Sequence, residues 1–164
     1  MTLGIAPSEV AIRRGVRGRP ELTEGGARID FNVSHTRGVA LMAIAHDAAP
    51  ATRIGVDIEH TEREVGVDML EKKFLAPPER DRIAGLSPDL RRRQFLRYWT
   101  CKEAMSKATG DGIIAPFREL EVELGDSPRL RAGPPPYVAD DWSLVDAAVS
   151  AEWFATVAIW RRPR

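Results

Sequence analysis

Tyr98 to Gly110 reads Y-W-T-C-K-E-A-M-S-K-A-T-G, and the rest of the chain is organised around this stretch. Phe95, Trp99, Glu103 and Lys107 lie four apart, so on an α-helix they share one slowly drifting stripe in which two aromatics give way to an acid and a base. An ordinary amphipathic helix continues its apolar stripe and keeps charge on the opposite face. An exposed Glu–Lys pair at i, i+4 would account for the two charges at about 0.3 kcal/mol of helix stability, but it gives no reason for their place beside Trp99. Ser87-Pro88 supplies an N-cap and a first-turn proline for this helix, and Gly110 and Gly112 end it. Cys101 sits within it, has no obvious histidine partner, and reads as a packing residue.

Upstream, R-I-G-V-D-I-E-H from Arg53 to His60 alternates as a strand, with Ile54, Val56 and Ile58 on one face and Gly55, Asp57 and Glu59 on the other. Two carboxylates projecting together repel unless they are well solvated or a cation sits between them, and hard oxygen donors favour Mg²⁺. Before that strand, Ala27 to Ala45 reads as a hairpin. Ile29, Phe31 and Val33 alternate with Asp30, Asn32 and Ser34, T-R-G makes the turn, and Val39 to Ala45 is nearly continuously apolar. The first strand is expected to be half exposed with its apolar side inward, and the second to be buried. Ser34 and His35 are neighbours on a strand and point to opposite faces, and no Gly-x-Ser-x-Gly elbow surrounds them, which argues against a serine-hydrolase couple. Nearer the start, R-R-G-V-R-G-R-P-E-L places Arg13, Arg14, Arg17 and Arg19 on a glycine-loosened loop suited to phosphate.

With 164 residues and 43% apolar content, the chain can bury the core of one domain or two small lobes. Lys plus Arg number 24 and Asp plus Glu 24, so the overall balance does not favour nucleic acid. A single cysteine excludes an internal disulfide and a multi-cysteine metal site, and fits a reducing compartment. No apolar run reaches the length of a membrane span, and M-T-L-G-I-A-P-S-E-V lacks the pattern of a signal peptide, so a cytoplasmic location is expected. Thr2 to Arg14 reads as the end of a helix and a connector. Val67 to Leu75 and Pro78 to about Ala84 read as helices, and Leu120 to Leu124, Trp142 to Val149 and Trp153 to Trp160 as strands. The class is α+β.

Four signatures stand in fixed order: G-R-P at Gly18 to Pro20, F-N-V-S-H at Phe31 to His35, G-V-D-I-E at Gly55 to Glu59, and W-T-C-K-E-A-M-S-K at Trp99 to Lys107. Together they resemble the 4'-phosphopantetheinyl transferases of the large, surfactin-synthetase type, from about Leu3 to the end of the chain. The resemblance implies two similar α/β lobes with the coenzyme between them, here with residues 1–52 as the remnant of an incomplete N-terminal lobe and 53–164 as the C-terminal lobe. Such a start would leave Leu3, Ile5 and the apolar faces of the hairpin uncovered.

It also implies a holo-[acyl-carrier-protein] synthase type of activity, in which Mg²⁺ assists transfer of the phosphopantetheine arm from coenzyme A to a serine of an acyl or peptidyl carrier protein. Asp57, Glu59 and Glu103 match the family's metal-binding acids. Lys107 and His35 would contact phosphates, Arg19 and Gly18 match its Gly-Lys-Pro motif, and Ser34 and Lys102 belong to its coenzyme-side motifs. Glu103 is the first candidate for the base that takes the serine proton, with Lys107 and His35 as its catalytic companions. Lys102 points about a hundred degrees from Glu103 and could instead support packing. Arg91, Arg92 and Arg93 could face an acidic carrier, or be a solvated helix surface. A weakened module that binds coenzyme A or a carrier without transfer is the alternative. A metal-dependent nuclease has the acids but no basic face.

Overall fold

The computed structural model describes residues 5–15, 17–23, 29–46 and 51–162. After a 3₁₀ turn at Pro7–Glu9, the chain forms β1 (Ile12–Arg14), β2 (Pro20–Leu22), β3 (Asp30–Thr36), β4 (Val39–Ala45) and β5 (Thr52–His60). Helices α1 (Val67–Phe74), α2 (Pro77–Ile83) and α3 (Pro88–Thr109) follow, and then β6 (Glu121–Glu123), β7 (Arg129–Ala132), β8 (Trp142–Asp146) and β9 (Trp153–Arg161). The strands make three antiparallel pairs, β1-β2, β3-β4 and β6-β7, and one three-stranded sheet in the order β5-β9-β8. This is a mixed α+β fold. Among the described residues no helix is long and apolar enough to cross a membrane.

The centre is the crossing of α3 over β5. A Cβ on Gly55 would stand 2.0 Å from the Ala104 carbonyl oxygen and 2.6 Å from the Ala108 nitrogen, so only glycine lets the helix backbone lie this close to the strand. Asp57 and Glu59 follow Gly55 at a spacing of two and therefore share its face, toward α3. Thr156, the register partner of Asp57 on β9, confirms that orientation by meeting Thr100 and Cys101 of the helix. Around the crossing, Phe95, Leu96 and Met105 of α3 pack with Phe117, Leu120, Tyr137 and Trp142 in one apolar core. Trp99 meets Phe74 of α1 edge to face at 4.7 Å between centroids. Gly110 closes α3 at φ 82, in the left-handed conformation, and donates its N–H to the Ser106 carbonyl.

The hairpin forms as expected, with a two-residue Arg37-Gly38 turn in which both φ are positive. Its inside and outside are reversed. Asp30, Asn32 and Ser34 are buried, Phe31 alone of the expected apolar face is buried, Val33 is exposed, and β4 is half exposed with Met42 and Ile44 outward. The reason lies in β5, whose second edge has no strand paired to it among the described residues. The Ile54 N–H donates to Asp30 Oδ2 at 2.7 Å, the Val56 N–H to Asn32 Oδ1 at 3.0 Å and the Ile58 N–H to Ser34 Oγ at 3.3 Å. Three polar side chains at alternate positions of β3 thus do the work of a strand's carbonyls, at a constant offset of 24 residues. Buried polar groups are tolerated when each is satisfied, and here they satisfy a sheet edge.

Other boundaries move less. Where a helix end was expected, Ile12–Arg14 is a strand, while residues 2–4 lie outside those described. The arginine-rich stretch is the β1-β2 hairpin rather than an open loop. The strand from Trp142 ends at Asp146, and β7 was not anticipated because R-L-R-A is too short to show a period. Ile5, Ile12, Met42 and Ile44 are exposed.

Candidate functional site

Gly55 sets the helix against the strand, and the side chains that result converge. From β3, the Ser34 hydroxyl donates to Asp57 Oδ1 at 2.9 Å. From α3, the Lys107 ammonium donates to the same Asp57 Oδ1 at 2.7 Å and to Ser34 Oγ at 2.9 Å. Glu59, two residues on, is held by Arg63 in an i, i+4 ion pair. Glu103 completes the set one turn before Lys107, close enough to feel the charges of Asp57, Lys107, Glu59 and Arg63. Three acids and two bases therefore meet where β3, β5 and α3 come together.

The acids are not fully answered. Asp57 is 5% and Glu59 7% exposed, and Asp57 Oδ2 and Glu59 Oε2 are buried with no hydrogen-bond partner. Burial raises the carboxyl of Asp57 above its ordinary range even though Lys107 pulls it down, and burial likewise raises Glu59 against the pull of Arg63. Burial, reinforced by the nearby charge of Asp57, pushes Glu103 up to about 7. Two orphaned carboxylate oxygens with a third carboxyl nearby are oxygen donors of the kind that hard divalent cations take. Among the described residues no three His, Cys, Asp or Glu side chains are drawn into a ready-made metal cage, and the ammonium of Lys107 lies within the cluster instead.

A groove of about 210 Å³ runs from this cluster along the C-terminal end of α3. Gly18, Gly110 and Gly112 line it, with Arg17, Asn32 and Lys107, so backbone is accessible along its wall. Gly18 turns the β1-β2 hairpin at φ 81, and Arg17 at that tip is paired with Asp111. Asp111 is itself fixed by the Tyr137 hydroxyl at 2.6 Å and the Thr109 hydroxyl at 2.8 Å.

The stretch that carries the crossing and its acids matches a family model, the 4'-phosphopantetheinyl transferase superfamily, over residues 53–158. The chain belongs to that superfamily. The phosphopantetheinyl transferase relationship extends to HetI, a 4'-phosphopantetheinyl transferase of Nostoc sp., which is 33% identical over 96% of this chain and 63% of its own length. The chain thus spans just under two thirds of that relative. Among solved structures, a holo-(acyl-carrier-protein) synthase from Bacillus anthracis, in complex with CoA (3',5'-ADP), superposes with a TM-score of 0.51 at 25% identity, over 68% of this chain and 96% of the other. The Thermotoga maritima holo-[acyl-carrier-protein] synthase shares the fold at 16% identity and a TM-score of 0.53, over 68% of this chain and 64% of its own.

Several residues singled out in the sequence are placed differently from expectation. Lys102 was expected among the coenzyme contacts. It is fully buried, and its three protons go to Glu79 Oε2 at 2.6 Å and to the carbonyls of Phe74 and Phe117 at 2.9 and 2.7 Å. Arg19, expected at phosphate, lines the groove, and its guanidinium is also tied into the fold through Asp30 at 2.6 Å and the carbonyls of Ile54, Phe31 and Lys107. Arg17, on the same hairpin and half exposed, lines the groove beside it. His35 is exposed on the face of β3 opposite Ser34 and does not join the cluster. The arginine run is not a free basic patch, since Arg91 pairs with Asp68 and Glu71, Arg92 with Glu62 and Asp89, and Arg93 with Glu62. The Cys101 thiol, buried and pushed up to about 12 by that burial, is a packing group. Arg63 was missed; its only sequence signal is its place four residues after Glu59.

Proposed function

We propose that this protein transfers the 4'-phosphopantetheine arm of coenzyme A to a serine hydroxyl of an acyl or peptidyl carrier protein, with Mg²⁺ held by Asp57, Glu59 and Glu103. The observation that carries this reading is the pair of buried, unpartnered carboxylate oxygens on Asp57 and Glu59, close to Lys107, which lines a glycine-rich groove. When bound, the metal supplies Lewis-acid neutralisation of charge on the pyrophosphate. Family membership and the coenzyme complex of the Bacillus anthracis neighbour support the substrate class.

The serine oxygen forms a bond to the phosphorus that bears the pantetheine arm, the phosphoanhydride bond breaks, and the nucleotide bisphosphate leaves. Lys107, which lines the groove, would donate to a pyrophosphate oxygen. Gly18, Gly110 and Gly112 let backbone approach the coenzyme, and Arg17 offers a bidentate fork to its phosphates. Glu103, near 7, is partly ionised at neutral pH and suits the role of base for the serine proton. Ser34 orients Asp57 and Lys107 from the other side. The single cysteine fits a reducing, cytoplasmic setting for this chemistry.

Intact mass spectrometry of an apo carrier protein incubated with this chain, coenzyme A and Mg²⁺ tests the proposal. The carrier is expected to gain the mass of one phosphopantetheine arm, and the gain should vanish with a chelator or with Asp57→Ala. A carrier that stays unmodified while coenzyme A still binds, by calorimetry, would replace transfer with a binding role.

A further inference from the structure

The acid cluster is occupied by the protein's own cations. Lys107 spans Asp57 and Ser34, and Arg63 holds Glu59, so each buried acid is given one positive partner and keeps one oxygen free. Neither cation is locked in. The Lys107 side chain is 27% exposed and that of Arg63 is 42%, whereas the carboxylate side chains they hold are 7% and 10% exposed. The acids are fixed by the fold, and the bases reach in from its rim.

We propose that Lys107 and Arg63 are internal counter-ions that keep the divalent-cation site closed in the free protein. The cation binds by displacing them, and the displaced Lys107 ammonium then becomes available to a phosphate in the adjoining groove. This rests on the reading of Asp57, Glu59 and Glu103 as a divalent-cation site. An ammonium 2.7 Å from Asp57 Oδ1 blocks close approach of a second cation to that oxygen and repels it from Oδ2. Only the fraction of molecules with Lys107 withdrawn can take up the metal, and the apparent Kd rises in proportion. If the closed form predominates about tenfold, the observed affinity is about tenfold weaker than the intrinsic one. By the same linkage, whatever draws Lys107 away strengthens cation binding. A phosphate does so, which couples loading of the coenzyme to loading of the metal through one side chain.

The test is Mn²⁺ binding without coenzyme, followed by electron paramagnetic resonance of the free ion, so that no catalytic readout is involved. Lys107→Met and Lys107→Gln should each bind Mn²⁺ about tenfold more tightly than the wild type, Arg63→Gln should show a smaller gain, and Asp57→Asn should lose binding. The gain must persist at about 1 M salt, where the screening length is about 3 Å, because displacement at contact survives salt and a general field effect does not. Unchanged or weaker binding in both Lys107 variants, or a gain abolished by salt, with Asp57→Asn still defective, overturns the counter-ion role and leaves the metal site standing. No Mn²⁺ binding by wild type or any variant, with coenzyme A added or not, overturns the metal reading itself.

Discussion

Lys102 and Lys107 stand five residues apart on one helix, each within 2.7 Å of a buried carboxylate, and they have opposite meanings. The Lys102–Glu79 pair is complete. All three ammonium protons are used, and Glu79 also accepts the N–H groups of Ala76 and Val122, so no atom of the pair is spare. The Lys107–Asp57 pair is open, with Asp57 Oδ2 and the neighbouring Glu59 Oε2 unanswered. About 140° of helix rotation separates the two lysines, which sends Lys102 into the seam between α1, α2 and the segment around Phe117, and Lys107 toward the groove. A charge whose every valence is met inside the protein is structure. One that leaves buried oxygens without partners marks a place for something else.

The largest effect should come from breaking the closed pair. Lys102→Met leaves Glu79 buried without its counter-charge, and the loss should be about 3–5 kcal/mol in urea unfolding. Burial lowers the lysine and raises the glutamate, so both are already under strain toward neutrality, and Lys102→Met combined with Glu79→Leu should recover much of that loss. Lys107→Met should cost clearly less, because its ammonium is partly solvated and Asp57, already raised by burial, can take up a proton. Equal losses for the two lysine variants would erase the distinction between the pairs.

A second contrast runs along β3, where the polar face is the buried one. Asn32→Ala removes the only side chain that answers the Val56 N–H in this seam and should cost about 1–3 kcal/mol, while the exposed neighbour Val33→Ala should cost far less. Asn32→Asp keeps the acceptor and should fall between them. A Val33 variant as damaging as the Asn32 variant would mean that the outer face, not the seam, holds the hairpin in place.

These contrasts also mark how far the sequence could be read. Spacing alone placed α3 with its Ser87 and Gly110 boundaries, the β5 face shared by Gly55, Asp57 and Glu59, and the Arg37-Gly38 hairpin, because those signals are local and periodic. It did not reveal which side of β3 faces inward. Alternation of Phe and Val with Asp, Asn and Ser normally puts the apolar residues inside, and the reversal depends on a bare edge 24 residues away in the chain. The burial of Lys102 and the internal partners of Arg19 were hidden for a related reason. A motif fixes residue type and order, but whether a cation meets solvent depends on partners such as Asp30 and Glu79 that come from other elements. Arg63 escaped notice because an i, i+4 pair at a strand end has no period to announce it.

The smallest expected effect concerns the open pair itself and its dependence on pH. Burial and Asp57 push Glu103 from its ordinary 4.5 up to about 7, so the folded protein holds that proton more tightly than the unfolded chain does. The associated stability is full below about 4.5 and is lost as pH rises through about 7. Glu103→Gln mimics the protonated state at every pH. Wild type and variant should therefore unfold alike at acid pH, and the variant should be the more stable above neutrality, by about 1 kcal/mol because the carboxyl is only partly buried and water screens it. The Lys102–Glu79 pair is the same in both proteins, so the difference between the two curves isolates the open site. A divalent cation should abolish it by supplying the charge the cluster lacks, and a wild type that gains on the variant as pH rises would mean that the cluster is already balanced.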